Sequence, residues 1–521
     1  MKTVEIYDTT LRDGSQGENV SFTLTDKVKI AEKLDAFGVT FIEGGWPGSN
    51  PKDTDFFQEM QRKPLKNAEL VAFGSTRRKN HPASKDINLK ALVASETNWV
   101  AIFGKSWDLH VEKVLRTTLE DNLALIEDSV SFLKEKGKKV IFDAEHFFDG
   151  YRSHPDYALK TLMAAERGGA DRIVLCDTNG GSLPEEIIAG LKAASSYVKT
   201  PLGVHAHNDC GLAVANTVAA VKAGACHVHG TINGLGERCG NADLTTVIPI
   251  LQLKMGYSCV PENSLRQLTS TSRFVYELAN MVPLGAQPFV GFSAFAHKGG
   301  IHVDAMSKDR RSYEHIRPEE VGNQRRILIS ELSGKSTILQ KMKNFDLEKQ
   351  PELTRRLVDM VAHLEKDGYQ FEAAEASFDL MVRKALVQHQ PPFKVEGFRV
   401  IVEKRGDRVV SEATVKIRVG DQIEHTAGEG NGPVNALDNA LRKALTKFYP
   451  QLSKMRLTDY RVRILHAEKA TGAITRVLIE STDEKDTWGT IGLSENIIEA
   501  SWKALLDSFE FKLLKDAQVK Q

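Results

Sequence analysis

Eight short apolar runs, each followed by a longer stretch of helical period, fill the first half of the chain, and this alternation leaves few folds open. The runs are VEIYDT (4–9), TFIEGG (40–45), ELVAFG (69–74), WVAIFG (99–104), VIFDAE (140–145), RIVLCD (172–177), LGVHAH (202–207) and HVHGTI (227–232). Their Val, Ile and Phe content suits strands buried on both faces. Between them, TDKVKIAEKLDAFG (25–38) turns Val28, Ile30, Ala31 and Leu34 to one side and offers Gly38 as a stop. LPEEIIAGLKAAS (183–195) opens on Pro184 and two acids, a favourable first turn. Eight strand–helix units in about 250 residues predict an α/β chain built on a (β/α)8 barrel. A doubly wound open sheet is the rival, but the first turn lacks its dinucleotide-binding glycines.

In such a barrel, chemistry collects at the C-terminal ends of the strands. The first strand ends in DTTLRDGSQ (8–16), with Arg12, Asp13 and Gln16; the second ends with Glu43. The fifth ends with Glu145 and His146, the sixth with Asp177 and Thr178, and the seventh with His205 and His207. His205 and His207 share one strand face, because side chains alternate. With the Asp13 carboxylate from the first strand they make a site for one divalent cation (Zn, Mn, Co or Fe(II)) with positions left open for substrate. Alone, an H-x-H is more often a hydrogen-bonded pair near a loop; the polar residues at the other strand ends favour the metal. Asp209 either orients an imidazole or caps the helix near Gly211. Arg12 is a surface ion pair with Asp13 or, at the end of an interior strand, a group that polarises a substrate oxygen. The glycines of NGLGERCGN (233–241) make turns or a backbone-amide cradle for phosphate. Cys239 reads as a packed thiol.

Composition narrows the partners. Lys plus Arg equals Asp plus Glu at 69 each, which argues against a broad nucleic-acid surface. No apolar run reaches membrane-spanning length. The N-terminal MKTVEIYDTT enters a strand at once and leaves no room for a signal peptide. Five scattered cysteines without a C-x-x-C predict a reduced, cytoplasmic protein.

Residues 1–259 are expected to form the barrel, 260–390 helical linker subdomains, and 391–521 a C-terminal α+β domain. The middle region holds His302 and a basic set, Lys298, Arg310, Arg311, Arg325 and Arg326, which reads as a solvated face or as a receiver of phosphates. The last region is an internal repeat: FRVIVEKR, EATVKIRV, QIEHTAG and a helix, then DYRVRILHA, ITRVLIES, TWGTIGL and a helix. Two βββα halves make a two-layer module.

DTTLRDGSQ, HAHND, GLGERCGN, GGIHVDAM (299–306) and GEGNGPVNAL (428–437) together resemble the family of 2-isopropylmalate, homocitrate and citramalate synthases. The likeness extends over nearly the whole chain, and the stretch FIEGGWPGSNPKDTDFF (41–57) is most similar to the citramalate-forming members. The resemblance implies a metal-dependent Claisen-type condensation of acetyl-CoA, the co-substrate, with a 2-oxo acid, here pyruvate. It implies Asp13, His205 and His207 as ligands of Mn, Co, Zn or Mg, with Asn241 able to join them. It implies Arg12 on the 2-oxo group, Thr178 on the substrate carboxylate, and Gln16 and Glu43 beside the substrate. Glu145 and His302 match the acid/base pair, with Asp304 and Tyr313 nearby. A homodimer with shared active sites, a C-terminal allosteric domain and isoleucine as inhibitor follow from the same likeness. The segment FGKSWDLHV (103–111) departs from the isopropylmalate wording, and Phe103 or Trp107 is expected to shorten the pocket. Two rivals remain: a metal- and amino-acid-binding sensor without catalysis, and a non-haem iron oxygenase.

Overall fold

The computed structural model describes residues 2–328, 351–385, 390–465, 472–483 and 485–519. Eight parallel strands close into a barrel in chain order. They are β1 (Glu5–Asp8), β2 (Phe41–Gly45), β3 (Glu69–Ser75), β4 (Trp99–Lys105), β5 (Lys139–Glu145), β6 (Arg172–Asp177), β7 (Leu202–Ala206) and β8 (His227–Gly230). β1 pairs with both β2 and β8, Tyr7 lying opposite His229, which closes the ring. The outer helices include α1 (Leu24–Phe37), α2 (Pro51–Arg62), α3 (Ile87–Ala94), α4 (Leu119–Glu135), α5 (Phe147–Ser153), α6 (Pro155–Gly168), α7 (Pro184–Tyr197) and α8 (Ala213–Lys222).

The local chemistry explains where these elements stop. Thr23 and Asp26 form a capping box at the start of α1, and Gly38 ends it in the left-handed region at φ 90°. Val28, Ile30, Ala31 and Leu34 are buried, as their spacing requires. The outward faces of the strands pack with the helices into one core, while the inward faces fill the barrel with a separate aromatic-rich cluster around Tyr7, Phe41, Phe73 and Trp99.

The barrel floor is polar. Arg172 on β6 donates from Nε and Nη2 to Glu5 on β1 at 2.9 and 2.7 Å. His227 Nδ1 lies 3.0 Å from Glu5, and its Nε2 lies 3.0 Å from Nε2 of His229, which stacks on Tyr7. Against the cost of burial, the hydrogen bonds from Arg172 and His227 hold Glu5 down at about 2.

The chain divides into two compact units. The first is residues 1–295 with 314–325, and the second is residues 296–313 with 326–521. By this division the residues of the middle region, 260–390, are distributed over both units. Its segment 289–295 places Phe289, Val290 and Phe295 in the barrel-unit core, and Asn323 Nδ2 ties back to the carbonyls of Phe289 and Gly291. Helices Gly300–Lys308, Pro351–Lys366 and Glu375–Ala385 bear out its helical pattern in the second unit, beside a short parallel pairing of Ala296–His297 with Arg326–Ile327.

The C-terminal repeat is as expected. Strands Lys394–Arg405, Arg408–Val419 and Gln422–Gly430 form one antiparallel sheet followed by helix Pro433–Thr446. Strands Arg456–Leu465, Ile474–Thr482 and Thr487–Ser494 form a second, followed by helix Ile497–Val519. One core joins both halves, with Val415 and Leu441 from the first and Val477 and Leu505 from the second.

Candidate metal and substrate site

The turn after β1 is wired to itself and to its neighbours. Asp8 accepts from the backbone N–H and hydroxyl of Thr10 at 2.9 and 3.0 Å, and the Thr10 hydroxyl accepts from Ile232 N beyond β8 at 2.9 Å. The backbone N–H groups of Arg12 and Gly14 both reach the Thr9 carbonyl. This turn presents Arg12 and Asp13 at the barrel mouth.

Asp13, His205 and His207 are all buried, and one ligand atom of each lies within 4.8 Å of the others. His205 Nε2 lies 3.5 Å from Asp13 Oδ2, His207 Nε2 lies 3.9 Å from it, and the two Nε2 atoms are 3.3 Å apart. Burial, with His207 beside it, holds His205 down at about 3, and burial lowers His207 too. Both imidazoles are thus neutral near pH 7 and present lone pairs. Against burial, Arg12 and the two imidazoles keep Asp13 ionised, at about 2. Asp13 Oδ1, His207 Nδ1 and Asn241 Oδ1 are buried with no hydrogen-bond partner among the described residues. Two neutral imidazoles, an ionised carboxylate and an orphaned amide oxygen fit a divalent cation.

Asn241 comes to the pair because its loop is stitched to β7. Ala242 N donates to Ala206 O at 3.0 Å and Asn208 N to Gly240 O at 2.9 Å. Gly240 sits at φ 89°, where a Cβ would stand 2.0 Å from the Gly234 carbonyl oxygen. A Cβ on Gly236 would meet Asn241 Nδ2 at 2.2 Å. These glycines serve the turn and the approach of Asn241, the first of their two sequence readings. Cys239 is exposed and not packed, because this loop turns its glycine and asparagine backbone inward and Cys239 outward.

Arg12 is held on three sides. Its Nε donates to Glu43 Oε2 at 2.6 Å, its Nη1 to Asp13 Oδ2 at 3.2 Å, and its guanidinium carbon lies 3.9 Å over the Phe73 ring. Glu43 is fully buried and also accepts from the hydroxyls of Tyr7 and Thr9. It lies beneath Arg12 as its anchor, so the expectation of a substrate-contacting Glu43 becomes one of a positioning residue. Tyr7, Thr9 and Phe73 escaped the sequence reading, since nothing in an apolar strand marks which side chain will meet Glu43 or Arg12. Gln16 ends the turn and is exposed.

At the rim, Glu145 pairs with Lys105 at the end of β4. Lys105 ends β4, so the strand-end rule applies to it as well. The Thr178 hydroxyl accepts from His146 N at 2.9 Å, which leaves its own O–H free to donate. Asp177 turns away to Ser182. Among the described residues Asp209 bonds no imidazole: it is held by Arg238 through two bonds of 2.7 and 2.9 Å, because Arg238 on the adjoining loop offers a matching fork and also reaches Thr178 O. The cap near Gly211 falls to Asn208, which accepts from Ala213 N. Phe103 lies in the barrel, stacked with Phe73 and edge-on to Trp46, whereas Trp107 stacks on His110.

His302, Asp304 and Tyr313 belong to the second unit. His302 is exposed and stacks on Tyr313 with ring centroids 4.0 Å apart. Asp304 pairs with Lys308 at 2.7 Å. Of the basic set, Lys298 and Arg311 are exposed and paired with Glu372 and Asp309, whereas Arg325 and Arg326 are mostly buried beside Glu314 and Glu375, so the set is not one solvated face.

Three family models match the chain. One described as HMGL-like covers residues 3–275, a homocitrate synthase post-HMGL domain-like model covers 289–368, and the LeuA allosteric (dimerisation) domain covers 372–513. The chain is 54% identical to an (R)-citramalate synthase of Geobacter sulfurreducens over 100% of its own length and 99% of that protein's. It is 54% identical to an (R)-citramalate synthase of Aquifex aeolicus, over 99% and 98% of the two chains. A third, from a Synechocystis species, is 52% identical over 98% and 96%. With a closed eightfold barrel, a family match over more than half its length and full-length likeness to these proteins, the chain belongs to the HMGL-like family, in the group of the citramalate synthases.

Proposed function

We propose that this chain condenses acetyl-CoA with pyruvate to give citramalate and CoA. The observation that carries the reading is its 54% identity, along the whole chain, to a protein named (R)-citramalate synthase. Acetyl-CoA gives up a methyl proton, its enolate attacks the 2-oxo carbon, and water cleaves the thioester.

The residues of the barrel mouth fit these steps. Asp13, His205 and His207, with Asn241 beside them, would hold a divalent cation, Mn, Co, Zn or Mg. When bound, the cation supplies positive charge that polarises the 2-oxo group. Arg12 keeps N–H donors beyond those spent on Glu43 and Asp13, and these face the substrate oxygen. Thr178 donates its free hydroxyl hydrogen to the substrate carboxylate. Phe73, with the Arg12 guanidinium over it, and Phe103 stacked on it are the side chains that would limit the pocket to a methyl group. Glu145 and His302 exchange the proton of the acetyl methyl, with Tyr313 stacked on His302 and Asp304 nearby.

The working protein is a homodimer in which His302 serves the partner's barrel, and isoleucine inhibits through the C-terminal module, whose family is described as allosteric and dimerising. It works in the cytoplasm, where its five unpaired thiols stay reduced. No helix among the described residues is long and apolar enough to cross a membrane.

The test is CoA release, followed with a thiol reagent across pyruvate, 2-oxoisovalerate and 2-oxoglutarate. Pyruvate should lead by kcat/KM by roughly 10–200-fold, the effect of a methyl-sized mismatch in an apolar pocket. A lead for 2-oxoisovalerate makes the chain an isopropylmalate synthase, no release with any acid leaves the sensor reading, and turnover without oxygen removes the oxygenase.

A further inference from the structure

His146 follows Glu145 directly and has no part in the reaction as derived so far. It is the N-cap of α5, in the left-handed region at φ 57°, a conformation uncommon among non-glycine residues. Its side chain makes no cap to the helix. Instead its Nδ1 lies 3.0 Å from Asp149 Oδ2. The same carboxylate oxygen accepts from Asn179 Nδ2 at 3.0 Å, and Arg152 lies 3.7 Å from the other oxygen. The ring packs against His110 and Trp107, with centroids 4.2 and 5.5 Å away. His146 N holds the Thr178 hydroxyl. The imidazole is therefore buried and held by Asp149, on a residue that follows Glu145 in the chain and holds Thr178 through its backbone N–H, in the same compact unit as Asp13, His205 and His207.

An ionised carboxylate only accepts, so Asp149 assigns the proton to Nδ1 and leaves a lone pair on Nε2. No hydrogen bond engages Nε2 among the described residues. A carboxylate-oriented imidazole with a bare Nε2 is a general base. The proposed reaction needs two proton abstractions of different kind, one from the acetyl methyl, whose proton is balanced by protonation of the new alkoxide, and one from the water that cleaves the thioester. We infer that His146, oriented by Asp149, is the catalytic base for the second step. Nε2 takes a proton from water as the water oxygen bonds to the thioester carbonyl carbon. The C–S bond then breaks, the CoA sulfur leaves with the proton held on Nε2, and the new carboxylic acid ionises to release one proton.

The inference rests on the condensation proposed above, and the experiment separates the two. His146→Asn keeps a residue that tolerates the left-handed backbone, and Asp149→Asn keeps the imidazole but no longer dictates its tautomer. Each variant is mixed with acetyl-CoA and pyruvate, quenched in acid, and the CoA esters are separated by mass. CoA release should fall about 100- to 10,000-fold for His146→Asn, the usual worth of a general base, and less for Asp149→Asn. In both, the citramalyl thioester should build up toward one per active site, while exchange of acetyl-CoA methyl protons with deuterated solvent continues. Unchanged release in either variant, or loss of release without the thioester, overturns the role of His146. If His146→Asn fails to fold, judged by its thermal melt, Asp149→Asn decides alone. Failure of the unsubstituted enzyme to consume acetyl-CoA overturns the condensation itself.

Discussion

At the scale of single residues, the barrel mouth is a set of charges that need one another. Asp13 and Glu43 are both ion-paired to Arg12, and Glu43 is out of contact with solvent. Removing Glu43 leaves the largely buried Arg12 cation with Asp13 alone, so Glu43→Ala should destabilise the fold, by less than the about 3–5 kcal/mol of a buried charge stripped of every partner, read from the urea midpoint. Glu43→Gln, which keeps one acceptor oxygen in place of two, should fold better than Glu43→Ala yet raise KM for the 2-oxo acid, since Arg12 loses its charged anchor. The orphaned atoms of Asp13, His207 and Asn241 make a second prediction. His207→Ala should weaken metal binding by more than about 100-fold, beyond the loss expected from an outer partner of a ligand. Metal content after dialysis checks this. Chelation should stop turnover and Mn, Co, Zn or Mg should restore it; full activity in a verified metal-free sample would refute the site.

At the scale of elements, two features carry predictions. The Gly234–Asn241 loop has no space for a Cβ at Gly240, so Gly240→Ala must move the Gly234 carbonyl and with it Asn241. Activity and metal affinity should fall while the barrel's melting temperature, set by the core below, changes by only a few degrees (a shift of about 1 kcal/mol moves a large domain by about 2–4 °C). The barrel floor predicts acid sensitivity. Glu5 sits at about 2 in the folded chain against an ordinary 4.5, so its contribution is complete above pH 4.5 and is lost as pH falls toward 2. Burial lowers His227, so the unfolded chain takes up a proton there that the folded chain refuses, and stability drops further as pH falls below its ordinary 6.5. Urea midpoints should decline between about pH 7 and about pH 3. Glu5→Gln should be weaker than the unsubstituted protein near pH 7 and converge on it in acid; a constant gap would show that Glu5 is not the titrating group.

At the scale of the whole molecule, His302 and the metal set lie in different compact units of one chain. If His302 serves a partner's barrel, Asp13→Ala and His302→Ala should each be inactive alone. Mixed dimers should recover about half the activity of the unsubstituted dimer, because one site collects both lesions and the other neither. Mixed dimers that form and recover nothing would return His302 to its own barrel.

The residues themselves determined the barrel, its eight strands to within two residues at each end, and the doubled βββα module, because strand and helix differ in local period and eight units admit one closed arrangement. They also determined the Asp13–His205–His207 set: a strand's twofold alternation puts both histidines on one face, and closure brings β1 beside β8. Only the folded chain decided what each polar side chain does with its second hydrogen bond. Glu43 and Asp209 read as candidates for substrate and metal, yet one is spent on Arg12 and Tyr7 and the other on Arg238. Those partners come from other strands and loops, at sequence separations that no periodicity encodes. The same holds for the helical middle region. Its pattern named the secondary structure, but whether 289–295 or 296–313 joins the barrel depends on which apolar surface each finds to bury, and that is a property of the assembled chain.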